Sequence, residues 1–189
     1  MGGPTLAEVV ATDAERPYAR PMIAIAEEGP EHHAAVAAVR RVAFGGPYEA
    51  DLAEWLRCDG LVAASLVALE DGGVVGHVLF SDLPVEVDGA PVRAVSLAPM
   101  AVRPDRQGRG IGTRLVAEGL PILRERGRTA VVVLGHVRYY PRFGFSAELA
   151  RKLASPFPGR PSFMALELVP GALAGRAGSV RYPAAFGIA

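Results

Sequence analysis

The sequence has very little cysteine, lysine or tryptophan: Cys58, Lys152 and Trp55 are the single representatives among 189 residues. A lone cysteine excludes a disulfide within the chain and argues against a cysteine-based metal site. Arginine supplies 19 of the 20 basic residues. An abundance of arginine is therefore not in itself a sign of phosphate binding here.

Long apolar runs are also missing, and no stretch reaches the length that a transmembrane helix needs. The first twenty residues have neither a basic start nor a long apolar core, so they do not look like a signal peptide. The sequence therefore predicts a cytoplasmic protein in which residues 1–21 form a flexible N-terminus.

The chain has the composition and size of one globular domain, with 50% hydrophobic residues. Its net charge of zero hides an asymmetry. Residues 1–100 carry 6 basic and 15 acidic side chains, whereas residues 101–189 carry 14 basic and 5 acidic ones. Opposite fields suit a protein that binds an anion on one side and a cation on the other. An accidental distribution of surface charge is the alternative.

The order of the predicted elements indicates an antiparallel meander followed by one strand–helix–strand unit. Strands are predicted at residues 22–26, 61–69, 74–80, 85–87, 92–95, 95–102, 130–134 and 162–169, and helices at 31–44, 48–57 and 110–126. Pro99 interrupts its strand, which marks an edge or a bulge. The continuous apolar run at 130–134 is typical of a buried parallel strand.

The segment VRPDRQGRGIGTRL, residues 102–115, places three glycines and several arginines before an apolar helical pattern. Unsatisfied amides at a helix start bind anions, and glycines let the anion approach. The P-loop pattern fails because Gly112 is followed by Thr113 and Arg114 with no lysine. The dinucleotide pattern fails because its third glycine position is Thr113. An ordinary glycine-rich turn remains an alternative.

A third pattern, Q-x-x-G-x-G, is satisfied by Gln107, Gly110 and Gly112. It resembles the pyrophosphate loop of the GCN5-related N-acetyltransferase (GNAT) superfamily. The preceding LAPMAVRP, residues 97–104, looks like that family's bulged fourth strand. Beyond the helix and the next strand, GHVRYYPRFGF, residues 135–145, resembles the family's Y-x-x-x-G-F element.

The resemblance covers residues 22–170 and is strongest to the YhbS-like subgroup of predicted acetyltransferases, which carries GHPxYYxRFGF. Val137 stands where that subgroup usually has proline, which concerns only the local shape of the loop. The resemblance implies an α/β GNAT fold: a mixed central sheet of about six to seven strands, with a splayed, bulged fourth strand and about four helices. Residues 22–170 would form the N-acetyltransferase domain, and residues 171–189 a C-terminal tail that packs on it.

The resemblance also implies acetyl-CoA as co-substrate and no metal. Its pyrophosphate would lie on the loop amides, with Arg109 near a phosphate; the loop residues are Gln107, Gly108, Arg109, Gly110, Ile111, Gly112 and Thr113. Met100, Ala101 and Val102 would pair with the pantetheine arm like an added strand. The Met100 amide would face the thioester oxygen as it gains negative charge. His136 would contact pantetheine or be an ordinary loop histidine.

Tyr140 occupies the place of the family's tyrosine and is the expected acid that protonates the departing CoA thiolate. Tyr139 beside it is expected to point elsewhere, because consecutive residues of a helix face different sides. Glu49, which opens the second helix, is the expected base, with Asp82, His77 or a water as alternatives. Glu49 could equally be a favourable first-turn carboxylate on the helix dipole.

These features together predict an enzyme that transfers acetyl from acetyl-CoA to a primary amine by direct attack. A catalytically inactive acyl-CoA-binding sensor or scaffold is the alternative. The acceptor is left open between a small amine, an aminoglycoside, a peptide N-terminus and a lysine. We expect neither nucleic acid nor membrane as a partner, and the sequence leaves a homodimer open.

Overall fold

The computed structural model describes residues 22–45 and 47–188, without the side chains of residues 47–50. The predicted flexible N-terminus lies outside the described residues. The helices are α1 (His33–Phe44), α2 (Pro47–Cys58), α3 (Ile111–Glu125) and α4 (Ala147–Ala150). The strands are β1 (Ile23–Glu27), β2 (Val62–Glu70), β3 (Gly73–Val87), β4 (Ala90–Val102), β5 (Ala130–Leu134), β6 (Leu153–Ala154), β7 (Phe163–Glu167) and β8 (Gly178–Val180).

The strands form one mixed sheet in the order β1-β2-β3-β4-β5-β7, in which only β4 and β5 run parallel. The short β8 pairs with the end of β3 and, in parallel, with β6. The predicted α/β GNAT fold is confirmed, with eight strands in the described part of the chain. The predicted pieces at 74–80 and 85–87 are one continuous strand, as are those at 92–95 and 95–102.

Helices cover both faces of the sheet. Successive side chains of β3 point to opposite faces, and apolar side chains on both faces need cover. Val78 and Phe80 point to one face and pack in a core with the apolar side of α3. Leu79 points to the other face and packs with Leu52 and Leu56 of α2. No helix in the described residues is long and apolar enough to cross a membrane.

The fourth strand carries the predicted bulge, and it parts from β5 shortly before that bulge. In the register with β3, Phe80 faces Leu97 and Val78 faces Met100, so two residues of β4, Ala98 and Pro99, oppose one residue of β3. The pairing of β4 with β5 covers only Ala94–Ser96. Residues 97–102 of β4 therefore have a neighbouring strand on one side only.

A buried polar cluster lies on the face of the sheet that α1 and α2 cover. Its members are Glu28, Arg40, Arg57, Ser65 and His77. Glu28 accepts hydrogen bonds of 2.5 Å from both Arg57 Nη2 and Ser65 Oγ, and Ser65 Oγ lies 2.9 Å from His77 Nε2. Paired charges of this kind hold a fold in one arrangement, because removal of either partner leaves the other buried and uncompensated.

Burial sets the protonation states in this cluster. Burial lowers the pKa of His77 below its usual 6.5, and the hydrogen bond with Glu28 offsets only part of that shift. Burial would raise the pKa of Glu28, but its hydrogen bonds with His77 and Arg57 outweigh burial and hold the pKa well below its usual range. Burial and the nearby Arg57 lower the pKa of Arg40 to about 10.

We expect the free energy of unfolding to fall as the pH drops below the ordinary histidine value of 6.5. The unfolded chain then binds a proton at His77 that the folded chain does not accept, so protons favour unfolding. Urea denaturation between pH 7.5 and 5.5 measures this slope. The slope should be shallower in His77→Gln and unchanged in His136→Gln, whose histidine is exposed. Equal slopes in the wild type and His77→Gln would contradict the assignment.

Candidate functional site

A cavity of about 770 Å³ opens where β4 and β5 diverge. Its wall includes most of the residues that the sequence singled out: Met100, Val102, Gln107, Gly108, Gly110, Ile111, Gly112, Thr113, His136 and Tyr140. Ala101 and Arg109 are not part of the wall. Ala101 pairs with His77 of β3, and its side chain is buried.

The glycine-rich sequence of residues 102–115, which we call the glycine segment, forms a tight connection from β4 to α3. Gly108 and Gly110 take left-handed conformations, with φ of 74° and 80°, which residues with a side chain adopt only at a cost in strain. Gly110 is the N-cap of α3, and no side chain caps the helix. The first amides of α3 are therefore free to receive an anion at the positive end of the helix dipole.

The backbone of β4 offers hydrogen-bonding groups to the gap. Arg103 N–H donates to Val75 O of β3 at 2.9 Å. Because successive residues of a strand alternate in direction, the amides of Met100 and Val102 point to the opposite side, away from β3. Gln107 Nε2 donates to the Val102 carbonyl at 3.1 Å and so braces the glycine segment against the strand.

Two arginines of the glycine segment share one carboxylate. Arg106 Nε forms an ion pair with Glu70 at the end of β2, and Arg109 Nη1 lies 3.9 Å from Glu70 Oε1. Arg106 belongs to the cavity wall, whereas Arg109, the arginine expected near a phosphate, does not. Sequence reasoning missed Arg106, although it lies beside Gln107 in the same basic segment.

Both neighbouring tyrosines line the cavity. They do so because Tyr139 immediately precedes a single 3-10 turn, Tyr140–Phe143, and the pair is not part of a regular helix. Tyr140 is buried, and its ring lies so close to Gly135 that a Cβ there would overlap it. Burial, and to a lesser degree Tyr139, raise the pKa of Tyr140 above its usual 10. Its hydroxyl therefore stays protonated across the pH range of ordinary assays.

The residues considered as the base that deprotonates the amine lie in different parts of the structure. Glu49 lies in the first turn of α2, but its side chain is outside the described residues. Asp82 is paired with Arg128 Nη1 at 2.6 Å and lines a different cavity. His77 is fully buried in the polar cluster and does not line the cavity. His136 is an exposed residue of the wall. Among the described residues no group of three or more histidine, cysteine or acidic side chains could hold a metal.

Apolar side chains form another part of the wall that sequence reasoning did not single out. These are Phe44 at the end of α1, Leu52 of α2, Leu97 of β4 and Leu134 at the end of β5. Nothing in the sequence showed that α1, α2, β4 and β5 contribute side chains to the same opening.

The parallel pair that splays, the bulged strand and the uncapped glycine-rich start of α3 define a protein of the GNAT fold. A family model described as an acetyltransferase (GNAT) domain matches residues 26–147. The chain belongs to this family.

Two relatives are similar to this chain over most of their length, and one of them, YhbS, is compared both by its sequence and by its crystal structure. The uncharacterized N-acetyltransferase YhbS of Escherichia coli K12 is 42% identical over 147 residues, which are 77% of this chain and 87% of YhbS. The crystal structure of E. coli YhbS in complex with CoA superposes with a TM-score of 0.80 at 38% identity, covering 88% of this chain and 93% of YhbS. A GNAT acetyltransferase from Brucella melitensis, in complex with acetyl-CoA, gives 0.72 at 36% identity, covering 87% and 98%.

Proposed function

We propose that this protein is an N-acetyltransferase that moves the acetyl group of acetyl-CoA to a primary amine by direct attack. The observation that carries the proposal is the gap between β4 and β5, where unpaired backbone groups lead directly to the uncapped start of α3. CoA and acetyl-CoA are bound by the two similar proteins of known structure, YhbS and the Brucella enzyme. No metal takes part in this proposal.

The cofactor has chemistry that matches both parts of the gap. Pantetheine is an extended amide chain, so its two peptide-like groups pair with the edge that Met100 and Val102 present. The pyrophosphate then reaches the amides of residues 107–113, where the helix dipole favours negative charge. Arg106 and Arg109 are both paired with Glu70, and either would have to leave it to contact a phosphate. His136 borders the path of the pantetheine arm.

In the reaction, the amine nitrogen attacks the thioester carbon, and the carbonyl oxygen becomes negative. The Met100 amide, fixed in the strand, donates to that oxygen and stabilises the transition state. The C–S bond then breaks, and the departing thiolate takes the proton of the Tyr140 hydroxyl. As the amide forms, the former amine nitrogen releases its remaining extra proton, which restores the Tyr140 phenol through solvent. Because burial raises the pKa of Tyr140, the phenol keeps its proton until the thiolate forms, and the proton must then pass from a weak acid to a strongly basic sulfur beside it.

The ammonium of the acceptor must lose its proton before attack. We propose that Glu49, in the first turn of α2, accepts it directly or through a water. Asp82 and His77 suit this role less well, because Asp82 is paired with Arg128 and lines a different cavity, and His77 is fully buried and does not line this one.

Substitution of Thr113, the third residue of α3, tests where the pyrophosphate lies. We expect Thr113→Glu to weaken CoA binding at least tenfold more than Thr113→Gln, because the two side chains differ only in charge. A carboxylate in the first turn favours the helix itself, so lower stability would not explain the loss. Calorimetry of CoA binding measures the difference, and equal affinities of the two variants would place the pyrophosphate elsewhere.

Removal of the Tyr140 hydroxyl tests the acid. We expect Tyr140→Phe to lower kcat by about 10²–10⁴-fold, the usual range for general acid catalysis, with little change in acetyl-CoA affinity. Thiol release in the presence of an acceptor amine measures the rate. Tyr182→Phe is the matched control, because Tyr182 is a half-buried tyrosine that lines a different cavity.

Full turnover of Tyr140→Phe, with chemistry shown to be rate-limiting, would exclude Tyr140 as the acid. The sensor alternative makes a different forecast. A sensor would bind acetyl-CoA, acetylate no amine, and show no rate that either substitution could change.

A further inference from the structure

The apolar part of the cavity wall lies beyond the reacting centre, at the end away from the glycine segment. Leu97 precedes Val102 by five residues of β4, which is about 16 Å along a strand. Leu134 lies two residues beyond the last pair of β4 and β5, Ser96 with Val132. Leu52 packs with Ala98, which follows Leu97. Phe44 lines the same cavity. We call the side chains of Phe44, Leu52, Leu97 and Leu134 the apolar end of the cavity.

Two members of the apolar end are large hydrophobic residues that remain exposed, Phe44 at 41% and Leu134 at 43%. Clustered apolar side chains around an opening mark a binding surface, whereas single exposed ones carry no such meaning. Phe44 follows buried Val36 and Arg40 by eight and four residues, so it continues the inward face of α1. Val42, 65% exposed, lies on the other side of the same turn.

We infer that the acceptor is a primary amine carried on an aromatic or branched aliphatic group. This inference rests on the proposed acetyl transfer. The apolar group would displace water from Phe44 and Leu134, which remain exposed, while its amine reaches the thioester. A polyamine or an aminoglycoside would instead bring further charges or hydroxyls against these side chains, where burial without partners is unfavourable.

Two amines with the same aminoethyl group provide the test: 2-phenylethylamine and ethanolamine. We expect kcat/KM to be at least about tenfold higher for 2-phenylethylamine, the usual scale for a group that fills an apolar pocket. In Phe44→Ser this preference should largely disappear through a higher KM for 2-phenylethylamine. Val42→Ser should keep it, since Val42 is not part of the wall.

The possible outcomes distinguish an error in the inferred acceptor from an error in the proposed reaction. Faster acetylation of ethanolamine, spermidine or kanamycin than of 2-phenylethylamine would overturn the acceptor inference alone. The same would follow if Phe44→Ser kept the preference. Binding of acetyl-CoA without transfer to any of these amines would overturn the proposed function and this inference together.

A separate observation concerns Tyr139, which the proposed reaction does not use. Its hydroxyl oxygen is fully buried, belongs to a side chain of the cavity wall, and has no hydrogen-bond partner within the described residues. A buried polar atom without a partner is unusual and calls for a ligand or a water.

The Tyr139 hydroxyl is aimed at the start of α3. It lies 3.0 Å from the position that a Cβ on Gly112 would occupy, which is a tighter approach than most Cβ atoms have. The ring is held by edge contacts with Tyr140 and Phe143, at centroid distances of 5.0 and 5.6 Å. The Arg142 guanidinium stacks on it at 4.7 Å, while Arg142 Nε donates to the Tyr139 carbonyl at 2.9 Å.

The geometry points to Tyr139 as a binding residue whose hydroxyl donates a hydrogen bond to a pyrophosphate oxygen of CoA. The same first turn of α3 supplies the free amides, and a small shift of the Tyr139 ring would bring this hydroxyl, buried in the ligand-free protein, to an anion held there. The contacts of the ring with its neighbours confine that shift, so the hydrogen bond forms with little ordering of a flexible side chain.

The Tyr139→Phe variant distinguishes a tyrosine that binds CoA from one that only stabilises the fold. The two roles predict different changes in CoA affinity and in the Tm of the ligand-free protein. Removal of an unpaired buried hydroxyl should leave the Tm of the ligand-free protein unchanged or higher. Affinity for CoA should fall about tenfold or more, as expected for a hydrogen bond to a charged group. Affinity for 3′-dephospho-CoA should fall by the same factor, and affinity for pantetheine, which has no pyrophosphate, should not change.

Tyr182→Phe again serves as the control, with CoA affinity expected to stay at the wild-type value. A lower Tm of ligand-free Tyr139→Phe with unchanged CoA affinity would overturn the assignment and show a structural role. An equal loss for pantetheine would also overturn it, because the hydroxyl would then contact the arm. Failure of the wild type to bind CoA would overturn the proposed function itself.

Discussion

The divergence of β4 from β5 is the constraint on which the site depends. Parallel strands normally satisfy each other's backbone groups, yet here only Ala94–Ser96 of β4 pair with β5. The bulge opposite Leu79 redirects the rest of β4, which keeps β3 as its partner on the other side. A strand edge inside a domain is a template for an extended ligand. The cavity, its backbone donors and its access to α3 all follow from this one interruption.

Rigid packing on both faces keeps that edge in place. On one face α3 packs against Val78 and Phe80, which fixes the start of the helix at the end of β4. On the other face the buried cluster around Glu28 and His77 lies behind Ala101. Neither arrangement leaves β4 free to close the gap, so the hydrogen-bonding groups are preorganised before any ligand arrives.

The chemistry of the cavity changes along its length. Near residues 107–113 it presents the uncapped first amides of α3, which are suited to an anion, and Arg106 and Tyr139 also belong to the wall. In the middle lie the Met100 backbone and Tyr140, and beyond them the wall becomes apolar. This order matches a cofactor with a charged head, an amide arm and a reactive thioester, followed by an acceptor whose remaining part is apolar.

The sequence by itself determined the fold class and the glycine segment, because these depend on local patterns: alternating strands, helical periodicity, and glycines at fixed spacing before a helix. Even the bulge was marked locally, by Pro99. Tertiary structure alone decided which side chains meet at the cavity, since Phe44, Leu97 and Leu134 are distant in sequence. It also placed Arg106 rather than Arg109 in the wall, and it brought both tyrosines there. Side-chain direction in an irregular turn depends on packing against other elements, and no spacing rule encodes that.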